Sequence, residues 1–360
     1  MKNKWSKKKV IIGMGLVLFI VFIYTIIASL SDPMLAVVGE INIEKARNFD
    51  YAISGKQILY NDDTNIFMVG FSGKVEKTIP LEYRTVYYGD KRVYLVDKEL
   101  GRIDAYDYEL EEVWKSDLKD AVNHVKEEGD FLYIIKNAGK NFDAVYVLDK
   151  KGSVVMQRPF EDERVLEVYQ AGKDKYFVTT FRAGADAIYS NVYLVDSYGK
   201  ILVQNNYENQ VVTRLQVVDE KNYIIYTDNS VARISENKKI WEDTMEEDIV
   251  DYTFFNDEIY MAYKENGLSF MKQIDKENLN QKDYKTERNI QRLIPFSSII
   301  GVQTEDGIYY FDEKEMLKPL YISDPPAQRI IQDGDQAILV FDEYIQVVKL
   351  TKRIKWGNPS

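Results

Sequence analysis

The chain has 360 residues, 29% of them charged, a formal net charge of −11 and no cysteine. The acidic balance repels polyphosphates, so nucleic acid is not an expected partner. The missing thiols exclude disulfides, thiolate catalysis and a lipid-modified cysteine, so an exported domain of this size must be held by its core.

Residues 1–9 carry Lys2, Lys4, Lys7, Lys8 and Lys9 and no acid. No charged side chain follows from Val10 through Leu30. A helix of that length spans about 30 Å, the thickness of a bilayer's hydrocarbon core. It shows no polar stripe, which a core helix with one face in water would need. The lysines place the N-terminus in the cytoplasm and everything after Leu30 outside it. A cleaved signal peptide is the rival reading, but its apolar stretch runs about 7–15 residues, shorter than this one. The expectation is a retained single-pass anchor in the cell membrane, touching the lipid bilayer through residues 10–30. The Lys-, Ile-, Asn- and Tyr-rich composition without cysteine points to a low-GC Gram-positive bacterium.

Beyond the anchor, short apolar, Tyr-rich strands recur: Ile58-Leu59-Tyr60, Val93-Tyr94-Leu95, Leu132-Tyr133-Ile134, Tyr176-Phe177-Val178 and four more, ending at Ile338-Leu339-Val340. Their spacing of roughly 40 residues is the mark of a β-propeller. Each unit reads as four strands. In the third, 123–126, 131–136, 144–148 and 153–157 are strands, with turns at Glu127-Glu128-Gly129-Asp130 and Asp149-Lys150-Lys151-Gly152. Val145–Gln157 aligns with Val192–Gln204, keeping the Asp and Gly that a tight turn requires. Val113-Trp114 fits the outer strand of the second unit. Eight units are counted; one irregular unit would leave seven. Either Leu35–Ile41 or Thr351–Trp356 is expected to supply the last outer strand and close the ring, since an open ring leaves two sheet edges to pair with other chains. The chain thus divides into a cytoplasmic tail (1–9), a transmembrane helix (10–30), a linker and candidate closing strand (31–44), an all-β propeller of four-stranded antiparallel blades (45–356) and a C-terminal tail (357–360).

The Asp–turn–Gly-Lys ending before an apolar strand, and Trp114 and Trp241 at the start of outer strands, resemble the repeats of quinoprotein-like propellers. The chain looks like an uncharacterised family of bacterial membrane-anchored propellers with PQQ-like repeats, and is distantly similar to the BamB-like propeller lipoproteins of outer-membrane assembly. The resemblance implies fold over residues 45–356. It departs from the lipoproteins in lacking a lipobox cysteine. It departs from quinoprotein dehydrogenases in lacking a vicinal cysteine pair and a Trp motif in every blade, so no quinone or other cofactor is expected.

Chemistry is sparse. His124 is the one histidine, which excludes HExxH zinc sites, and no GxSxG or GxxxxGK[ST] occurs. Its inner-strand position suits a structural or channel-facing role. Glu242-Asp243 with Glu246-Glu247-Asp248 reads as a solvated inter-blade loop, because calcium loops need alternating oxygens and a glycine. Asn61-Asp62-Asp63-Thr64-Asn65 and Asp333-Gly334-Asp335 read as turns. No catalytic or metal-binding residue is assigned.

Two connections between second and third strands are longer than the rest, 136–143 and 182–190. They stand on neighbouring blades and on one face. Lys136, Asn137, Lys140, Asn141, Arg182 and Asp186 are therefore the candidate partner-binding residues, with Lys136, Lys140 and Arg182 forming a basic patch on an acidic protein. The leading expectation is a non-enzymatic platform binding another membrane or envelope protein. The alternative is an extracytoplasmic hydrolase acting on glycans or lactones through carboxylates at the central channel.

Overall fold

The computed structural model describes residues 31–354, apart from 120, 140–141, 185, 245–248, 276–279, 313 and 315. The predicted anchor, its five lysines and the C-terminal tail lie outside the described residues. No helix among the described residues is long and apolar enough to cross a membrane.

Eight four-stranded antiparallel sheets make an eight-bladed β-propeller. The blades comprise 51–80, 85–117, 124–161, 164–208, 212–244, 249–286, 292–322, and 329–354 with 31–42. In each, the strands run in sequence from an inner to an outer position. The eighth is closed by the N-terminal strand Ser31–Asn42, which pairs outermost on Tyr344–Ile354. Leu35–Ile41 is thus the closing strand. Thr351–Ile354 instead lengthens the third strand beside it.

Strand alternation assigns every connection to one of two faces. The inner-to-second and third-to-outer turns lie on one, here the lower face. The second-to-third hairpins and the blade-to-blade links lie on the other, the upper face. Ser31 pairs with Ile354, so the chain enters the ring at the lower face. The ribbon of 31–35 and 350–354 runs past the strand Gln336–Val340, whose pairing stops at Lys349.

The core is a set of eight apolar clusters, one per joint between neighbouring blades. At the joint of blades 2 and 3, Tyr94, Ile103 and Trp114 pack with Leu132, Ile134 and Tyr146. Such strands are apolar on both faces because each blade is covered on both sides. Gly152 turns at φ 80°, and a Cβ there would lie 2.5 Å from the Trp114 ring. One Trp therefore does dock on the glycine turn of the next blade.

The aligned turns share one geometry. Asp149 Oδ1 accepts from the N–H of Lys151 at 2.8 Å and Ser153 at 3.0 Å. Asp196 Oδ1 accepts from Tyr198 and Lys200, both at 2.9 Å. Asp62 Oδ1 likewise accepts from the backbone of Thr64 and Asn65, so 61–65 is a turn.

Three expectations need correction. The 136–143 connection is mostly strand: Phe131–Gly139 pairs with Phe142–Leu148, placing Lys136 opposite Ala144 and Asn137 opposite Asp143. The 182–190 connection likewise extends the hairpin Lys175–Ala183 with Ile188–Asp196, Arg182 facing Tyr189. Long strands replace long loops because polar residues at the tips still satisfy each other's backbone groups across the pair. Blade 6 has a similarly long hairpin, Glu258–Glu265 with Leu268–Asp275, closed by Asn266-Gly267 with both φ positive. Glu242 and Asp243 belong to the outer strand Lys238–Thr244, and Asp243 Oδ2 meets Lys272 Nζ at 2.8 Å. Glu246, Glu247 and Asp248 lie outside the described residues.

Candidate interaction site between the third and fourth blades

The upper-face joint of blades 3 and 4 is built by a short link, Asp162-Glu163, between the outer strand Val154–Glu161 and the inner strand Arg164–Gly172. Asp162 takes φ 59°, which turns the chain sharply from rim to channel. Asp143, opposite Asn137 near the end of the blade-3 hairpin, reaches over the joint. Its carboxylate accepts from Arg164 Nη1 at 2.7 Å and from the Val165 N–H at 2.9 Å. Glu163 turns the other way, into blade 4. It accepts from Thr180 Oγ1 at 2.5 Å, Asn191 Nδ2 at 3.0 Å and Tyr193 hydroxyl at 2.7 Å.

Beside Glu163 lies a cleft of about 460 Å³. Arg158, Pro159 and Phe160 of blade 3 form one wall, Tyr193 and Ile201 of blade 4 the other. Arg158 donates through Nη1 to the Gly199 carbonyl at 3.1 Å. Its Nε is shielded from water and has no hydrogen-bond partner among the described residues. Arg182 lies over the Tyr189 ring, 5.2 Å from its centroid. The Tyr193 phenol is pushed well up, first by burial, then by the Glu163 carboxylate, with Arg182 and Arg158 pulling it back. Glu163 thus accepts from three neutral donors, while the Arg158 guanidinium lines the same pocket. Such a cleft suits carbonyl or carboxylate groups, which can accept from arginine.

Of the six predicted residues, Arg182 stands exposed near the end of the blade-4 hairpin and does not line this cleft, and Asp186 stands exposed at the tip of the same hairpin. Lys136 lies near the end of the blade-3 hairpin, where Asn137 is also placed by backbone register. Lys140 and Asn141 lie outside the described residues. The sequence reading missed Arg158, Glu163, Tyr193 and Asp143. One signal for Asp143 was available: it precedes the aligned Val145 by two residues, as Ser190 precedes Val192. Ser190 Oγ accepts from the Val212 N–H at 3.1 Å, repeating the Asp143–Val165 bond at the next joint. Ser269 does so again with Ile290 at 3.1 Å.

His124 sits on the inner strand of blade 3, exposed, edge-on to the Tyr87 ring at 6.2 Å. Among the described residues no group of three or more Asp, Glu or His could hold a metal ion.

No family model and no curated protein matches the sequence. Solved structures do match. BamB from Moraxella catarrhalis superposes with a TM-score of 0.57 at 11% identity, over 88% of this chain and 100% of that one. The likeness is one of fold. Sqt1 of Saccharomyces cerevisiae gives 0.58 at 10% identity, covering 88% and 98% of the two chains. The Dos1 propeller gives 0.58 at 12%, covering 88% and 95%. The quinoprotein-like likeness read from the repeats therefore holds as far as the propeller architecture shared with BamB.

Proposed function

We propose that this protein is a single-pass membrane protein, of the kind the bacterial membrane-anchored propellers represent, whose ring stands outside the cytoplasm and binds a protein partner without catalysing a reaction. Supporting the anchor are the uncharged run of residues 10–30 and the lysines before it. The closing strand begins at Ser31, directly after that run, and at the lower face. An anchor joined there turns the lower face to the bilayer and the upper face away from it. Acids dominate the upper-face connections, among them Asp62, Asp63, Asp162, Asp228, Glu305 and Asp342. That suits the side turned from an anionic leaflet. The partner is a membrane or envelope protein that reaches the upper face.

The observation that carries this reading is the joint of blades 3 and 4, where Arg158 lines the cleft and Arg182 stands exposed on the blade-4 hairpin of the upper face. The experiment is site-specific photocrosslinking in intact cells, with benzoylphenylalanine at Ile188 on the blade-4 hairpin or at Tyr198 on the lower face. A discrete protein adduct from Ile188, reduced by Arg158→Ser with Arg182→Ser, is expected. The proposal fails if Ile188 yields no adduct, or an adduct indifferent to both arginines.

A further inference from the structure

At the lower mouth of the channel, blades 8, 1 and 2 border an open cavity of about 360 Å³. Tyr51, Tyr88 and Tyr108 form its walls together with Ile53 and Ile331. Each phenol is already engaged outside the cavity's needs. Tyr51 donates to the Ala46 carbonyl at 2.7 Å, Tyr88 to Asn61 Oδ1 at 3.1 Å, and Tyr108 to the Gly89 carbonyl. The tyrosines therefore contribute ring surface rather than free hydroxyls.

Two carboxylates join this wall, Asp90 from the inner turn of blade 2 and Asp333 from the inner strand of blade 8. Acids at other joints are paired: Asp104 with Arg84, Asp143 with Arg164, Asp243 with Lys272. Asp90 and Asp333 are exposed, and their carboxylates have no ion pair or hydrogen bond to any described residue. The cations that follow Asp90 in sequence are committed to blade 3. Lys91 Nζ lies 2.9 Å from Asp130, and Arg92 Nη1 lies 3.4 Å from Glu127. No lysine or arginine lines the cavity itself; Arg329 lies over the Tyr51 ring, 5.9 Å from its centroid, which leaves the Tyr88 and Tyr108 rings for a ligand. The uncompensated charge is felt nearby. Burial first, and then Glu127, Asp90 and Asp333, push the Tyr108 phenol up to about 12. Burial raises the Glu128 carboxyl, opposed by Lys126 and aided by Asp90 and Glu167.

We infer that this cavity is a binding site for an organic ammonium ion, a protonated amine or a trimethylammonium group. Tyrosine rings attract a cation through their faces and accommodate its alkyl shell, and the two aspartates neutralise its charge. The site is separate from the cleft of blades 3 and 4, and it does not rest on the platform reading.

The test is calorimetric titration of the full chain in dodecyl maltoside with choline chloride, at constant ionic strength. Saturable binding is expected for choline and absent for dimethylbutanol, its neutral carbon isostere. Asp90→Asn and Asp333→Asn should each weaken choline about two- to fivefold, the loss expected when a bound cation gives up one solvent-exposed counter-charge. Neither aspartate has a partner among the described residues, so both variants should melt as the parent does. The isostere comparison needs no variant and stands even if one fails to fold. Nanodiscs of phosphatidylethanolamine against phosphatidylglycerol separate the sources: weaker choline binding in the former shows that a headgroup amine reaches the site, and equal binding assigns it to free amines. The inference is overturned by no binding of choline, by equal binding of the isostere, by unchanged affinity in both Asn variants, or by calcium binding where choline does not.

Discussion

Glu127 shows how one residue can hold a joint. Its side chain is fully buried and accepts from the N–H groups of Lys91 at 2.7 Å and Arg92 at 3.1 Å, and from the Tyr94 hydroxyl at 2.8 Å. A Cβ on Gly89 would lie 2.4 Å from its Oε2, so only glycine lets the blade-2 turn close over it. Removing a buried acceptor strands its donors. Glu127→Ala should therefore cost about 3 kcal/mol in urea unfolding, and Glu127→Gln less, because the amide oxygen still accepts. In sequence Glu127 belongs to an ordinary charged turn, Glu127-Glu128-Gly129-Asp130. Its burial was not legible because the pocket that takes it is made by Gly89, in another blade. Asp219 was more readable, an Asp heading a turn. The Asn222 amide and the N–H groups of Lys221 and Asn222 hold its carboxyl below the usual carboxylate range. A lowered folded-state pKa gives stability that is present above the unfolded value, about 4, and is lost as pH falls through the folded value. Asp219→Asn should thus flatten the acid limb of a melting-temperature profile below about pH 4 and leave neutral pH nearly unchanged.

The elements were legible where the signal is local and obscure where it depends on a partner strand. The turns after Leu148 and Val195 are set by an Asp and a Gly a few residues apart, and both formed as read. The hairpins of blades 3 and 4 look like loops because their tips are polar, yet Arg182 and Ala183 still pair with Tyr189 and Ile188. Periodicity reports burial, and those tips extend beyond the buried layer. The joints between blades use a polar residue at a fixed repeat position, Asp143, Ser190 and Ser269. Ser190 is fully buried, so Ser190→Ala leaves the Val212 N–H without its acceptor. The expected cost is about 1–3 kcal/mol. Hydrogen exchange should localise it, with protection lost at Val212 and kept at Val165, whose acceptor is Asp143.

The whole ring is closed by the pairing of its first strand with its last. Leu35 and Ile41 of the closing strand are buried in the clusters that join blade 8 to blades 7 and 1. Removal of residues 1–42 should therefore expose a sheet edge and two apolar joints, giving aggregation or a molten product. Removal of 1–30 should leave a cooperatively melting domain. Calorimetry and light scattering on the two truncations would decide between those outcomes. Closure at Ser31 also fixes which face an N-terminal anchor would turn to the bilayer, and this orientation underlies the proposed platform. The cysteine-free chain suits a direct measurement. Tyr83, in the upper-face link, is 106% exposed, and Tyr198, in a lower-face turn, is 92% exposed. Single cysteines at each, carrying a donor dye in vesicles with an acceptor on the lipid headgroups, would report their heights above the membrane. Strong transfer from position 198 and weak transfer from position 83 is the predicted result; equal transfer, or the reverse order, in membrane-inserted protein would contradict the account.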